Sequence, residues 1–153
     1  MHYVTHFGLR VSELVWLEVE DIALSERKGE LRVRAGKGTK ERVIPLNEAC
    51  RKAIRAWYAV RPADDSSRVF TTQRGPATTR AIQSILENIG KDARVENMTP
   101  HVARHTFAKN LVNAGVSLEK VAMLLGHSSL DTTLVYTTPG MRDLEKAVGT
   151  LDG

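Results

Sequence analysis

The segment TPHVARHTFAKNLVNAGVSLEKVAMLLGH, residues 99–127, has the sequence pattern of two consecutive helices. Thr99 followed by Pro100 is typical of a helix start, because proline at the first helical position loses no hydrogen bond that the helix needs. Gly115 and Gly126 follow two segments with helical apolar spacing, and glycine commonly ends a helix. The pattern therefore predicts helices over residues 100–113 and 118–125.

The residues before this stretch predict further helices and a small sheet. Ser12 can cap a short helix, and apolar and basic residues alternate over 31–34 before the glycine-containing turn GKGTK and the apolar residues of 43–46, which is typical of a β-hairpin. Asn47 can cap another helix. Additional elements are a strand at 69–70, a turn at 75–76, and helices over 79–93, 130–135 and 142–148. The predicted fold is mostly α with a small antiparallel β-sheet (α+β).

Composition narrows the class of protein. The chain has 153 residues, 42% of them hydrophobic, which suits one domain with a sizeable core. A single cysteine, Cys50, excludes an internal disulfide and a zinc site built on cysteines, which is typical of a reducing cytosol. No segment approaches the roughly 20 apolar residues that span a bilayer, and none resembles a signal peptide. We therefore expect a soluble protein with no membrane partner.

The net charge of +4 is unevenly distributed. Residues 27–42 contain seven lysines and arginines but only two glutamates. Charge alone leaves two interpretations open, a solvated hairpin or a surface that binds phosphate groups.

Polar residues of the 100–113 helix share one face. His101, Arg104 and His105 stand at spacings i, i+3 and i+4, close to the helix N-terminus, where free N–H groups favour an anion such as phosphate. Either histidine alone could equally satisfy a core contact. Further on, LLGHSSLDTTLVY places His127 at a helix end and Tyr136 nine residues later. A tyrosine taken alone is usually a packing residue, so its meaning depends on its companions.

In its order of motifs the chain resembles the tyrosine recombinases, or phage integrases, and especially their Xer-like bacterial members. The resemblance covers residues 7–148 and rests on four segments in the family's order: FGLRVSELVWLEVEDI, GKGTKERVIPL, TPHVARHTFAKNLVNAGVSLEKVAMLLGH and SSLDTTLVYTTP. It implies the catalytic-domain fold of that family and site-specific cleavage and rejoining of double-stranded DNA. The catalytic set that it implies is Arg10, Lys37, His101, Arg104, His127 and Tyr136.

The chemistry of these residue types agrees with the roles that the resemblance implies. Tyr136 would attack the phosphodiester and store its bond energy as a 3'-phosphotyrosine, so that rejoining needs no metal, ATP or other cofactor. Arg10 and Arg104 would bind the nonbridging oxygens, where charge builds up in the transition state, and His127 would add a third donor. Lys37 would protonate the leaving 5'-oxygen, and His101 would accept or relay the tyrosine proton.

Supporting residues follow from the same resemblance. Glu13 falls on an acidic position that supports the active site in the family. The basic hairpin is expected to contact DNA through Arg32, Arg34, Lys40 and Arg42.

Two rival functions deserve comparison. A metal-dependent nuclease could use His101, His105 and His127 as ligands, but the glutamate of H-E-x-x-H is missing and nearby arginines would repel a metal ion. A DNA-binding module without catalysis, such as a catalytically incompetent truncated fragment of a recombinase, is opposed by the presence of all six catalytic residue types.

Arg10 lies close to the first residue, whereas family members usually carry an N-terminal domain that clamps DNA. We therefore expect residues 1–153 to form a single, N-terminally short catalytic domain without that clamp. Residues 141–151 are predicted either to pack on a neighbouring recombinase protomer or to form an ordinary terminal helix in cis. The expected location is the bacterial cytoplasm, in association with the nucleoid.

Overall fold

A computed structural model describes residues 7–36, 40–62 and 66–127 of the chain. The helices within these ranges are α1 Val11–Trp16, α2 Glu48–Val60, α3 Thr79–Asp92, α4 Pro100–Asn113 and α5 Leu118–Leu125. The strands are β1 Ile22–Leu24, β2 Gly29–Val33, β3 Arg42–Pro45, β4 Thr71–Thr72 and β5 Gly75–Pro76. A 3-10 turn over Val19–Asp21 precedes β1. The predicted mostly helical fold with a small antiparallel sheet is confirmed.

The three-stranded sheet has the order β1-β2-β3, and both pairs are antiparallel. Leu31 pairs with Ile44 and Val33 with Arg42, so the predicted hairpin is confirmed. Leu31, Val33 and Ile44 are buried because alternate residues of a strand point to the same face. Strand β1 was not predicted, because three residues are too few to show an alternating pattern.

Two of the predicted helix starts, at Asn47 and Thr99, are confirmed. The Asn47 side chain accepts a hydrogen bond from the Cys50 N–H at 2.9 Å, and Thr99 Oγ1 accepts one from the Val102 N–H at 3.2 Å. Each side chain satisfies a backbone donor that has no partner within its helix. Helices α4 and α5 have the predicted bounds, and Gly126 ends α5 in the left-handed conformation.

Two local predictions were wrong. Arg10, not Ser12, is the N-cap of α1, so the helix begins two residues earlier than predicted. The reason is that the Glu13 carboxylate accepts the Arg10 backbone N–H at 2.7 Å and closes the first turn there. The strand predicted at 69–70 lies instead at Thr71–Thr72, and the predicted turn at 75–76 is its antiparallel partner.

The physical reason for the second error is local hydrogen bonding. Thr72 Oγ1 donates to the Gly75 carbonyl and accepts the Arg74 N–H, which closes the hairpin between those residues. Val69 is buried without belonging to a strand. Its apolar character therefore reports core packing and not strand pairing.

Two apolar clusters form the core of the part of the chain that the structure describes. The larger one lies between the three-stranded sheet and helices α1 to α3. In the smaller one, Ala108 of α4 packs with Val121 and Leu125 of α5. The segment before α1 connects them, because Phe7 and Leu9 are buried in the larger cluster while Gly8 packs against the α4–α5 pair. Arg10, the next residue, is thereby placed beside the end of α5.

Several predictions fall outside the described residues. They concern Lys37, Tyr136, the helices over 130–135 and 142–148, and the segment 141–151. Among the helices that are described, none has the length and apolar character needed to cross a membrane.

Candidate active site

Arg104 lies in the core at the junction of three chain segments. Only 5% of its surface is exposed. Its Nη1 donates to the Gly8 carbonyl, and its Nη2 donates to the Leu125 carbonyl at 2.7 Å and lies 2.9 Å from His127 Nε2. Carbonyl acceptors offset part of the cost of removing the guanidinium from water. The guanidinium of Arg104 is therefore fixed in position next to His127.

Gly8 is also part of this arrangement, although it was not predicted as a site residue. Its φ of +60° is in the left-handed region, and a Cβ at this position would lie 2.6 Å from Phe107 Cε1. Glycine allows both the backbone conformation and the close approach to α4. Its position two residues before Arg10 in GLR was the available signal.

Gly8→Ala is expected to lower the free energy of unfolding by about 2–4 kcal/mol, because left-handed strain and overpacking against Phe107 add together. Gly115→Ala provides the matched control. Gly115 also has a positive φ, of +81°, but a Cβ there meets nothing within 4 Å. Its cost should be limited to about 1–2 kcal/mol of backbone strain. Equal losses in urea unfolding of the two variants would contradict the packing argument.

Glu13 lies in the cluster formed by Arg10, Glu13, Arg42, Arg104 and His127. Arginines donate hydrogen bonds to both oxygens of its carboxylate. Arg42 Nη1 and Nη2 donate to Oε1 and Oε2, each at 2.9 Å, while the Arg10 backbone N–H donates to Oε2 at 2.7 Å. Arg10 Nη1 adds a longer contact of 3.4 Å to Oε1. Burial alone would raise the pKa of Glu13, but the hydrogen bonds from Arg42 and Arg10 and their charges hold that pKa below its ordinary value. Glu13 is therefore ionised at neutral pH.

His127 stands where the charged groups converge. Its Nε2 must accept the hydrogen bond from Arg104, because a guanidinium has no acceptor atom. Burial, followed by the positive charges of Arg104, Arg10 and Arg42, lowers the pKa of His127 to about 4, against a smaller opposing effect of Glu13. The imidazole is therefore neutral at pH 7 in the absence of DNA. An anion that entered this cluster would offset the arginine charges and favour the protonated ring.

The low pKa of His127 predicts a specific pH dependence of stability. The unfolded chain binds a proton at His127 near the ordinary pKa of 6.5, whereas the folded chain does so only near 4. The free energy of unfolding should therefore fall as the pH decreases from about 6.5 towards 4. His127→Gln should lose this component of the pH dependence. Urea unfolding at several pH values checks it, and parallel curves for the two proteins would contradict the lowered pKa.

The two histidines of α4, His101 and His105, are more exposed than Arg104, which lies between them in the sequence. His101 is exposed in the first turn of α4, one helical turn before Arg104, and His105 is partly exposed. Within residues 7–36, 40–62 and 66–127, no three histidine, cysteine, aspartate or glutamate side chains form a group that could hold a metal ion. The three histidines of the rival nuclease hypothesis are thus not brought together.

The basic hairpin is partly neutralised by neighbouring carboxylates. Arg34 Nε donates to Asp21 Oδ1 at 2.8 Å, and its Nη2 contacts Glu18 at 2.9 Å and also Glu20. Arg32 lies 3.6 Å from the same Asp21 oxygen. DNA contacts by Arg32, Arg34 and the exposed Lys40 remain predictions. For Arg32 and Arg34, a DNA phosphate would have to compete with the neighbouring carboxylates.

Arg42 differs from the other basic residues of the hairpin. Only 8% of its side chain is exposed, and its donors are directed at Glu13 and at the Leu124 carbonyl. The expectation that Arg42 contacts DNA does not fit this burial. In the sequence Arg42 looks like its basic neighbours, because only the tertiary fold brings Glu13 beside it.

The chain is similar to known proteins over most of its length. The model of the phage integrase family matches residues 1–142. Tyrosine recombinase XerC of Corynebacterium glutamicum is 39% identical over 133 residues, which are 85% of this chain and 42% of the relative. Tyrosine recombinase XerA of Thermococcus kodakarensis is 40% identical over 144 residues, which are 92% of this chain and 50% of the relative. The chain thus spans about half the length of these relatives.

Solved structures show the same relationship. A crystal structure of XerA recombinase superposes with a TM-score of 0.84 at 31% identity, covering 99% of this chain and 56% of the other. The XerH site-specific recombinase bound to its difH substrate gives a TM-score of 0.76 at 28% identity, covering 96% of this chain and 44% of the other. The predicted family is confirmed. With a family match over most of its length and the fold of the tyrosine recombinase catalytic domain, this chain belongs to the phage integrase family.

Proposed function

We propose that this chain is the catalytic part of a site-specific recombinase that cleaves and rejoins double-stranded DNA through a 3'-phosphotyrosine, without metal or ATP. The observation that carries the proposal is the grouping of three arginines around two neighbouring side chains: Arg10 and Arg42 bind Glu13, and Arg104 contacts His127. Preorganised positive charge in a partly buried site stabilises the negative charge that develops on a phosphodiester under attack.

The described residues support distinct roles within this reaction. The Arg10 side chain is 36% exposed, so it can approach a nonbridging oxygen directly, as predicted for it. Arg104 keeps its predicted contact with a nonbridging oxygen as part of this proposal, although only 5% of its surface is exposed, and its Nη2 also orients the ring of His127. His101 lies exposed within the same helix and remains the predicted proton acceptor. Lys37 and Tyr136 keep their predicted roles as general acid and nucleophile.

A pool of nicked duplexes with randomised arms tests the proposal without knowledge of the target site. The chain is assayed alone and fused to the N-terminal domain of a Xer-type relative, because it spans about half the length of such proteins. We expect a protein–DNA adduct that survives detergent, forms in the presence of EDTA and leaves a free 5'-hydroxyl. Selective binding of duplexes without any adduct, in both forms, would instead identify a non-catalytic DNA-binding fragment.

The proposed activity implies partners and a location. XerH was crystallised with its difH substrate, which supports DNA as the partner of the fold shared with this chain. We propose that further protomers assemble on that DNA and that residues 141–151 contribute to their contacts. We also propose that residues 1–153 form a single catalytic domain and that it acts on DNA at the nucleoid, in the bacterial cytoplasm.

A further inference from the structure

Arg42 has an environment that a DNA contact does not explain. It comes from the basic hairpin, yet its side chain is 8% exposed and that of Glu13, its partner, is 9% exposed. Two of its nitrogens form the bidentate pair with Glu13, and its Nε donates to the Leu124 carbonyl at 2.8 Å. These three bonds connect β3, α1 and the last turn of α5 through one side chain.

On one side, this linkage reaches Arg10. The carboxylate that Arg42 holds also accepts the Arg10 backbone N–H and contacts the Arg10 guanidinium. Rotation of Glu13 away from Arg42 would therefore release two contacts to Arg10 at once. The direction of the Arg10 side chain therefore depends on Arg42 through Glu13, the carboxylate to which both arginines donate.

On the other side, the linkage reaches His127. Leu124 lies two residues before Gly126, and a Cβ on Gly126 would stand 2.6 Å from Arg42 Nη1. The guanidinium thus packs directly against the turn that ends α5 and leads into His127. Glycine is needed there for its φ of +68° and also for this close approach.

We propose that Arg42 is a positioning residue that holds Arg10 and His127 in one arrangement and so acts on the cleavage step without touching DNA. The proposal rests on the proposed function. Lysine cannot replace this residue, because an ammonium group lacks the planar fork that binds both carboxylate oxygens and a carbonyl at the same time. A misplacement of catalytic groups by about 1 Å can reduce a rate about 10²-fold.

The test compares Arg42→Lys with Arg51→Lys. Arg51 is a matched control, since it lies in α2 and its Nη1 donates to the Leu46 carbonyl at 2.9 Å, away from the cluster. With the duplex recovered from the randomised pool, Arg42→Lys should form adduct about 10²-fold more slowly while its Kd for DNA stays within about twofold. Arg51→Lys should change neither quantity.

Two outcomes of the kinetic experiment would overturn the proposal. Equal losses in Kd and cleavage rate would make Arg42 a DNA contact. A lowered thermal stability with an unchanged cleavage rate at a permissive temperature would make its role merely structural. If Arg42→Lys does not fold, Glu13→Gln removes the same ion pair from the other side, and the same separation of rate from affinity is expected.

A measurement without DNA separates this proposal from the proposed function. In NMR spectra of the DNA-free chain, the His127 imidazole and Arg10 guanidinium resonances should move in Arg42→Lys and stay in place in Arg51→Lys. Unchanged resonances in Arg42→Lys would overturn the positioning role. Moved resonances in a chain whose unmutated form makes no adduct would support positioning while rejecting the recombinase activity.

Discussion

Tyr136→Phe is expected to abolish the covalent protein–DNA adduct while the protein still folds and binds DNA. Phenylalanine keeps the ring but lacks the phenolic oxygen that would attack phosphorus, so no phosphotyrosine can form. The measurement is adduct formation on the nicked duplex recovered from the randomised pool, followed by denaturing electrophoresis. Adduct should fall below detection, and the thermal unfolding midpoint should change little.

Tyr58→Phe is the matched control for this prediction. Tyr58 lies in α2, is packed against the larger apolar cluster, and has a buried hydroxyl for which the described residues provide no hydrogen-bond partner. Removing that hydroxyl should leave adduct formation intact. If Tyr136→Phe still forms an adduct that survives detergent, another side chain is the nucleophile.

Lys37→Ala is expected to cleave ordinary DNA about 10²–10⁴-fold more slowly than the unmutated chain, since the leaving 5'-oxygen would depart without a general acid. A sulfur in the bridging 5' position removes this requirement, because a thiol has a pKa near 8.5 and leaves as a stable thiolate. The variant should therefore cleave the 5'-bridging phosphorothioate nearly as fast as the unmutated chain. Single-turnover rates on the two substrates provide the measurement.

Lys40→Ala is the matched control for Lys37→Ala, because it should remove a phosphate contact without removing the general acid. Lys40 is exposed three residues further along the same hairpin. Its removal should weaken DNA binding equally for the oxygen and sulfur substrates. Arg10 substitutions should likewise show no selective rescue, because their proposed contacts are to nonbridging oxygens. Failure of the sulfur substrate to rescue Lys37→Ala would reduce Lys37 to a positioning contact.

Local interactions explain why much of the fold could be predicted. The caps at Asn47 and Thr99 bond to a residue three positions later, and the hairpin register follows from the alternation of Leu31 and Val33 with exposed residues. Such patterns lie within a few positions of the chain. The two local errors, at Ser12 and at residues 69–70, arose where a nearby side chain, Glu13 or Thr72, supplied a competing hydrogen bond.

The family, the mostly helical fold and the types of residue available for the chemistry could be predicted from the sequence, because these depend on motif order and local spacing. Which charges meet could not be predicted, because it depends on contacts between distant parts of the chain. Arg104 bonds to a carbonyl 96 residues away, and Arg42 to one 82 residues away. The guanidinium of Arg42, which looks solvent-exposed in the sequence of a basic hairpin, becomes a buried partner of Glu13 only when the fold packs β3 against α5 and places Glu13 beside it.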